Sequence, residues 1–175
     1  YASNSALNYK DAVNYYEKAL QLNPKYYEAF YALGVVNNAQ KNYKESINHL
    51  TKAIDLYPEA AYLHSLMGEA RYLSSDYKGA IINYKEASRI NPADARNYYY
   101  IGKSKHFLKD YRGAIKELSK AIEIDPKNGN SYLARAYAKY ELKIASACAD
   151  YDEAEKYRHH KHDDLLDKYC EHQES

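Results

Sequence analysis

Apolar residues recur along this chain with the spacing of amphipathic helices, and the pattern is interrupted at regular intervals. Positions i, i+3, i+4 and i+7 are apolar in both halves of each interval, which predicts two amphipathic helices per interval. The last apolar turn before the interruptions is supplied by Leu20, Leu22, Ile54, Leu56, Ile90, Ile122 and Ile124. The pattern predicts an all-α protein.

The interruptions are prolines with a fixed period. Pro24, Pro58, Pro92 and Pro126 lie 34 residues apart (58−24, 92−58 and 126−92). Proline ends a helix and biases the preceding residue away from helical angles. Glycines keep the same phase ten residues after a proline, at Gly34, Gly68 and Gly102. Two markers in one phase indicate an array of internal repeats.

Within one period, the residues resemble the tetratricopeptide repeat family, which has large and small residues at fixed slots in both helices. The first-helix slots hold Phe30, Leu33 and Gly34, then His64, Met67 and Gly68, then Tyr98, Ile101 and Gly102. The second-helix slots hold Ser46 and Leu50, then Ala80 and Tyr84, then Ala114 and Leu118. The resemblance implies a right-handed α-solenoid of antiparallel helix pairs, in which small residues let paired helices approach closely.

The same resemblance divides the chain into segments. We expect a truncated first repeat over 1–26, full repeats over 27–60, 61–94 and 95–128, an irregular repeat over 129–158, and a polar joint with a C-terminal capping helix over 159–175. Tyr1 falls inside the first helix of the truncated repeat, and no initiator methionine precedes it. We therefore expect a fragment or processed product of a longer protein.

Several slots depart from the family pattern. The aromatic three residues after each glycine is replaced by Asn37, Arg71 and Lys105. In the fourth repeat, Arg135 occupies a slot that is normally apolar. The second half of that repeat, marked by Ala147, Tyr151 and Ala154, runs one residue early, which predicts a shortened turn between its helices.

The resemblance also implies where a partner binds, since the first helices of this family line a concave face. Four positions of each first helix share the inward side. Arg96 and Lys103 would attract an acidic side chain or a terminal carboxylate there. The alternative is that the tyrosines fill seams between neighbouring first helices. The predicted partner-binding residues are Tyr31, Tyr62, Tyr72, Arg96, Tyr99, Lys103, His106, Tyr137 and Tyr140.

One subtype of the family is not expected, because this chain lacks most of the binding residues of that subtype. Its co-chaperones grip the acidic C-termini of heat-shock proteins with a two-carboxylate clamp built from basic and amide residues. The clamp slots hold Tyr31, Val35, Leu66, Arg96 and Tyr100 here. Only Arg96 matches, so we do not expect a clamp.

Composition narrows the kinds of partner. The chain has 25 basic and 24 acidic residues, so it lacks the charge excess typical of nucleic-acid binders. It has 23 tyrosines and no tryptophan, which suits rings at helix edges or in a binding surface. No apolar run approaches the roughly 18 residues that a transmembrane helix needs, and no targeting segment indicates a compartment.

Three histidines lie close together in the polar joint, at His159, His160 and His162. A zinc site needs about four ligands in fixed geometry with supporting outer contacts. We therefore interpret the segment as a solvated joint and predict no bound metal.

Cys148 and Cys170 are the only cysteines. If the helices that hold them pack antiparallel around His160, the two residues lie 12 before and 10 after it (160−148, 170−160) and face each other. A disulfide in an oxidising compartment is one interpretation. The alternative is a pair of buried thiols that act as small apolar groups.

Motifs for catalysis are missing, since the sequence has no glycine-rich phosphate loop, nucleophile elbow or metalloprotease helix. We expect structural roles for the scattered histidines His49, His64 and His106, and no cofactor. The predicted function is a non-catalytic scaffold that binds a peptide or helix of another protein. Two alternatives stay open: self-association through the repeat end at 1–24, and single-stranded nucleic-acid binding through the groove tyrosines.

Overall fold

The computed structural model describes residues 2–157 and 164–171, and it places most of them in α-helices joined by short turns. No strand occurs in these two ranges, so the predicted all-α class is confirmed. The helices are α1 (Ala2–Leu22), α2 (Tyr27–Ala39), α3 (Tyr43–Leu56), α4 (Ala61–Leu73), α5 (Tyr77–Ile90), α6 (Ala95–Phe107), α7 (Tyr111–Ile124), α8 (Gly129–Glu141), α9 (Ala147–Tyr157) and α10 (Asp164–Glu171).

The helices form two compact units, one up to Asn91 and one from Pro92. In the first unit, α1 packs on α2, α2 pairs with α3, α3 contacts α4, and α4 pairs with α5. In the second unit, α6 pairs with α7, α7 contacts α8, α8 pairs with α9, and α10 packs on α9. Each unit is therefore built from consecutive helical hairpins, because the short turns bring neighbours in sequence together.

The periodic glycines lie where the paired helices come closest. A Cβ atom added at Gly102 would lie 2.5 Å from Cγ of Leu118 in the partner helix, and one at Gly34 would lie 2.7 Å from Cγ of Leu50. Both leucines are fully buried. The small residue is needed because the partner leucine already fills the space that a side chain would take.

A second 34-residue period appears in the backbone of the turns inside the hairpins. Its members are Lys41, Ser75, Lys109 and Lys143, which all have positive φ between 55° and 65°. In each case the next residue donates its backbone N–H to a carbonyl five residues earlier, as Asp110 does to Lys105 (2.9 Å). This is the hydrogen-bond pattern of a Schellman helix end, which usually has glycine at the left-handed position. None of the four is glycine.

The turn of the fourth hairpin corrects one prediction. Residues 142–146 connect α8 to α9, whereas residues 108–110 connect α6 to α7. The turn is therefore longer, and the prediction that it is shortened is wrong. The buried positions Ala147 and Tyr151 do lie one residue early, so the buried face of α9 is shifted by one residue relative to that of α7.

Polar residues at normally apolar slots all find partners within their own unit. Asn37 donates from Nδ2 to the carbonyl of Leu33 (2.8 Å). Lys105 pairs with Glu117 across the α6–α7 hairpin (2.9 Å). These bonds remove the cost of placing polar groups near the core. Arg71 and Arg135 form ion pairs with Asp76 and Asp150, although Nε of Arg71 is buried without a hydrogen-bond partner among the described residues.

The repeat histidines His64 and His49 both make packing contacts. His64 is buried, and its Nε2 lies 2.8 Å from the carbonyl of Pro58, at the point where the preceding helix ends. The ring of His49 stacks on Phe30 with centroids 6.3 Å apart.

The three histidines of the joint, His159, His160 and His162, lie outside the described residues. Within residues 2–157 and 164–171, no group of three potential metal ligands occurs. No helix in the same part of the chain is long and apolar enough to cross a membrane.

Candidate functional site

A cleft of about 280 Å³ opens in the second unit between α6 and α8. The two helices contact each other, and each supplies one face at helical spacing. Aromatic and aliphatic side chains dominate the walls, and a lysine, a histidine and an asparagine interrupt them. The residues that line this α6–α8 cleft are Tyr99, Lys103, His106, Phe107, Asn130, Leu133, Ala134 and Tyr137.

The charge of the cleft is carried by Lys103. Its ammonium group lies 5.4 Å from the ring centroid of Tyr99, one turn earlier on α6. A cation over an aromatic face is attracted by the ring quadrupole, so the lysine is held along the wall. No acidic side chain belongs to the described lining. The cleft therefore presents positive charge beside apolar surface.

His106 lies on the same face of α6 one turn beyond Lys103. Its Nδ1 is buried and has no hydrogen-bond partner among the described residues. Burial lowers the pKa of His106 below its usual 6.5, Glu141 opposes the shift, and Lys103 adds to it. The imidazole packs edge-on to Tyr111, with centroids 5.2 Å apart. It is therefore neutral near pH 7 and leaves Lys103 as the cation of the cleft.

The structure places Arg96 outside the described lining of the cleft. Its guanidinium binds Asp94, the N-cap residue of α6, through Nε and Nη2 at 3.3 and 3.2 Å. Its side chain is 76% exposed. Arg96 therefore pairs with the N-cap carboxylate of its own helix, and its joint role with Lys103 as an anion site stays a prediction.

Tyr140 lies at the far end of α8, where it contacts the C-terminal helix. Its ring meets Tyr169 of α10 edge-on, with centroids 5.0 Å apart. In the structure Cys148 of α9 and Cys170 of α10 form a disulfide, with Cα atoms 5.5 Å apart. Tyr140 thus packs at the contact between α8 and α10, and its role in partner binding stays a prediction.

In the first unit, the predicted tyrosines form pairs. Tyr31 of α2 and Tyr62 of α4 meet edge-on at 5.2 Å, and Tyr31 packs against the core cluster around Leu63. Tyr62 keeps 45% of its surface exposed. Tyr72 packs on Tyr77 at 5.7 Å, and burial raises the pKa of Tyr72 to about 12. These rings combine seam packing with partial exposure.

The predicted partner-binding set lacked four of the wall residues: Phe107, Asn130, Leu133 and Ala134. Phe107 is 51% exposed and follows Tyr99 and Lys103 at i+4 spacing, so a longer helical row on α6 would have found it. Ala134 also lines the cleft. A residue with so little side chain gives no sequence signal.

Comparisons with known proteins agree with this architecture. Family models described as tetratricopeptide repeats match residues 5–61, 42–95 and 95–128. No protein with a curated description matches the chain.

Solved structures match the fold over most of the chain. The crystal structure of MamA has a TM-score of 0.83 at 21% identity, and the match covers 89% of this chain and 92% of that one. MamA from Desulfovibrio magneticus RS-1 gives 0.81 at 18% identity, covering 89% and 90%. YrrB, described as a tetratricopeptide repeat protein with an unusual peptide-binding site, gives 0.80 at 20% identity, covering 97% and 86%. At these identities the matches show the fold alone.

Proposed function

Because the chain belongs to the tetratricopeptide repeat family, whose fold supports protein–protein interaction, we propose that it is a scaffold that binds a peptide segment of a partner in the α6–α8 cleft. The observation that carries the proposal is the cleft itself, an open apolar cavity of about 280 Å³ with one lysine in its wall. YrrB, which has the same fold, is described as having a peptide-binding site.

The lining specifies the chemistry of the segment. Tyr99, Leu133 and Tyr137 offer surface for one large apolar side chain, whose burial contributes about 2 kcal/mol. Lys103 favours a carboxylate beside it, and an exposed pair contributes up to about 1 kcal/mol. Asn130 supplies an amide for the peptide backbone. Apolar contact therefore dominates affinity, and the lysine selects acidic partners.

The same features argue against single-stranded nucleic acid as the ligand of this cleft. Such sites combine stacking rings with a positively charged groove that follows the backbone. The described lining has one lysine, and its histidine is neutral near pH 7. A single neutralised phosphate gives little affinity at physiological salt.

The test is selection of a phage-displayed library of random peptides on the purified protein. We expect the selected peptides to share a large apolar residue next to Asp or Glu. Their affinity, measured by fluorescence anisotropy, should fall about tenfold in Lys103→Glu and further in Tyr99→Ala. Lys116→Glu, the same charge change at an exposed position of α7 outside the cleft lining, is the matched control.

Two outcomes contradict the proposal. One is a selection without enrichment over an unrelated helical protein. The other is an affinity for the selected peptides that Lys103→Glu and Tyr99→Ala leave unchanged, with both variants folded by circular dichroism. Either result would move the binding surface away from this cleft.

A further inference from the structure

Two residues of the cleft wall pack against a buried cluster that includes a residue of α10. Leu133 and Tyr137 line the α6–α8 cleft, and both also pack against a buried cluster of Ala136, Tyr151 and Leu166. Leu166 belongs to α10 and is fully buried. The position of α10 therefore bears on two of the side chains that form the cleft.

Several described contacts hold α10 in place. Besides Leu166, they include the Tyr140–Tyr169 ring contact and a hydrogen bond from Oη of Tyr151 to Oδ1 of Asp167 (2.7 Å). The Cys148–Cys170 disulfide also links α10 covalently to α9. An isolated helix as short as Asp164–Glu171 is not stable in water, so it depends on these attachments.

From these contacts we infer that the disulfide regulates the cleft: the oxidised chain presents an ordered binding wall, and the reduced chain loses α10 from the back of α8 and binds its partner more weakly. This inference rests on the proposed function of the cleft. It relies on the buried cluster that contains Leu166, because Cys170, Leu133 and Tyr137 all pack against that cluster.

The chemical step is thiol–disulfide exchange with a dithiol reductant. One thiolate of the reductant attacks a sulfur of the disulfide, a mixed disulfide forms, and the other cysteine leaves as a thiolate. The second thiol of the reductant then displaces the first cysteine. The protein gains two electrons and two protons as two thiols, and the reductant becomes a disulfide. Cys148 and Cys170 are both partly exposed.

Loss of α10 should weaken binding by lowering the fraction of molecules whose cleft wall is in the binding-competent arrangement. If reduction leaves about one tenth of the molecules with Leu133 and Tyr137 in place, the apparent Kd rises about tenfold. Neither cysteine belongs to the cleft lining, so the effect would not come from a lost peptide contact.

The experiment measures anisotropy of a selected acidic–apolar peptide with the full chain, oxidised and after reduction by dithiothreitol. We expect a Kd about tenfold higher on reduction, and the Cys148→Ser/Cys170→Ser variant should show that higher Kd in both conditions. Equal Kd values for oxidised, reduced and double-serine protein would overturn the inference while leaving the proposed function intact. Peptides that fail to bind even the oxidised protein would remove both.

Hydrogen exchange of the peptide-free protein gives an independent measure. Reduction should raise exchange in α8 and α10, with α4 of the first unit as the internal control. Unchanged exchange in α8 after full reduction, verified by thiol alkylation and mass, would show that α10 does not support the cleft wall and would also overturn the inference.

Discussion

Arg135 binds Asp150 with two parallel hydrogen bonds, from Nε to Oδ2 at 2.7 Å and from Nη2 to Oδ1 at 2.6 Å. The carboxylate is 7% exposed, and Lys139 approaches it at 2.8 Å. Nη1 of Arg135 also donates to Ser119 of α7 (2.9 Å). An arginine at a slot that is normally apolar thus ties α8 to both α7 and α9.

Removing Arg135 should destabilise the second unit strongly. Arg135→Met leaves a buried carboxylate with only Lys139 as counter-charge, and breaking a buried pair costs about 3 kcal/mol. The measurement is the urea midpoint followed by circular dichroism. Arg89→Met is the control, because Arg89 pairs with Glu59 and Glu86 at the surface and its loss should leave the midpoint unchanged. Equal midpoints for Arg135→Met and wild type would contradict the role given to this pair.

Gly102→Ala should destabilise the α6–α7 hairpin. The new methyl group would lie 2.5 Å from Cγ of Leu118, and overpacking of this kind costs about 1 to 3 kcal/mol. Alanine's better helix propensity returns at most about 1 kcal/mol. Ala136 holds the equivalent position 34 residues later and is already accommodated, so Ala136→Gly should also destabilise, by loss of packing. The measurement is the thermal unfolding midpoint of each variant against wild type. A Gly102→Ala variant that is more stable than wild type would refute the close-contact argument.

Lys109→Gly, in the turn between α6 and α7, should stabilise the protein, although most substitutions by glycine are destabilising. Lys109 has φ of 62°, where a side chain costs about 1 kcal/mol that glycine does not. The gain is partly offset by the greater freedom of glycine in the unfolded chain. Leu108→Gly, one residue earlier at φ of −82°, has no such strain to relieve and should destabilise. Opposite signs for the two variants are the expected result in chemical denaturation, and equal losses would contradict it.

Stability should fall as the pH drops below about 6.5, with His49 and His106 as contributors. Burial lowers the pKa of both imidazoles, so the unfolded chain binds protons first as the pH falls. Proton uptake then favours the unfolded state, until the pH passes the lowered pKa values of the folded protein. Replacing both histidines by glutamine should reduce the loss of urea midpoint between about pH 7.5 and about pH 5. If the urea midpoint of the double variant falls as much as that of wild type, groups other than these two histidines cause the pH dependence.

The fold was accessible from the sequence because proline and glycine at fixed spacing have direct backbone and packing consequences. Pro92 lies two residues after Ile90, the last residue of α5, and Gly102 lies against Leu118 as a close helix contact requires. The left-handed residues of the turns were not foreseen, since Lys109 carries none of the usual glycine signal. The partner of Arg135 was not predicted either, because ion pairs between different helices have no fixed sequence spacing.

The candidate site was partly accessible. The helical register grouped Tyr99, Lys103 and His106 on one side of α6, and the structure places them in one cleft with Tyr137. The register could not show that Arg96 is held by Asp94. It also could not separate a ring in a cleft from a ring in a seam, as the contact of Tyr140 with α10 shows, because that distinction depends on what the next helix covers.

The long connection of the fourth hairpin has a practical consequence for attaching reporters to this protein. In the other described hairpins the turn has only three residues, and one of them has positive φ. An insertion there would disrupt the turn or the start of the next helix. Between Ile144 and Ala145 the chain is exposed and outside any helix. A short inserted epitope or fluorophore-labelling tag at that point would sit on the α8–α9 hairpin while the buried register of α9 stays in place.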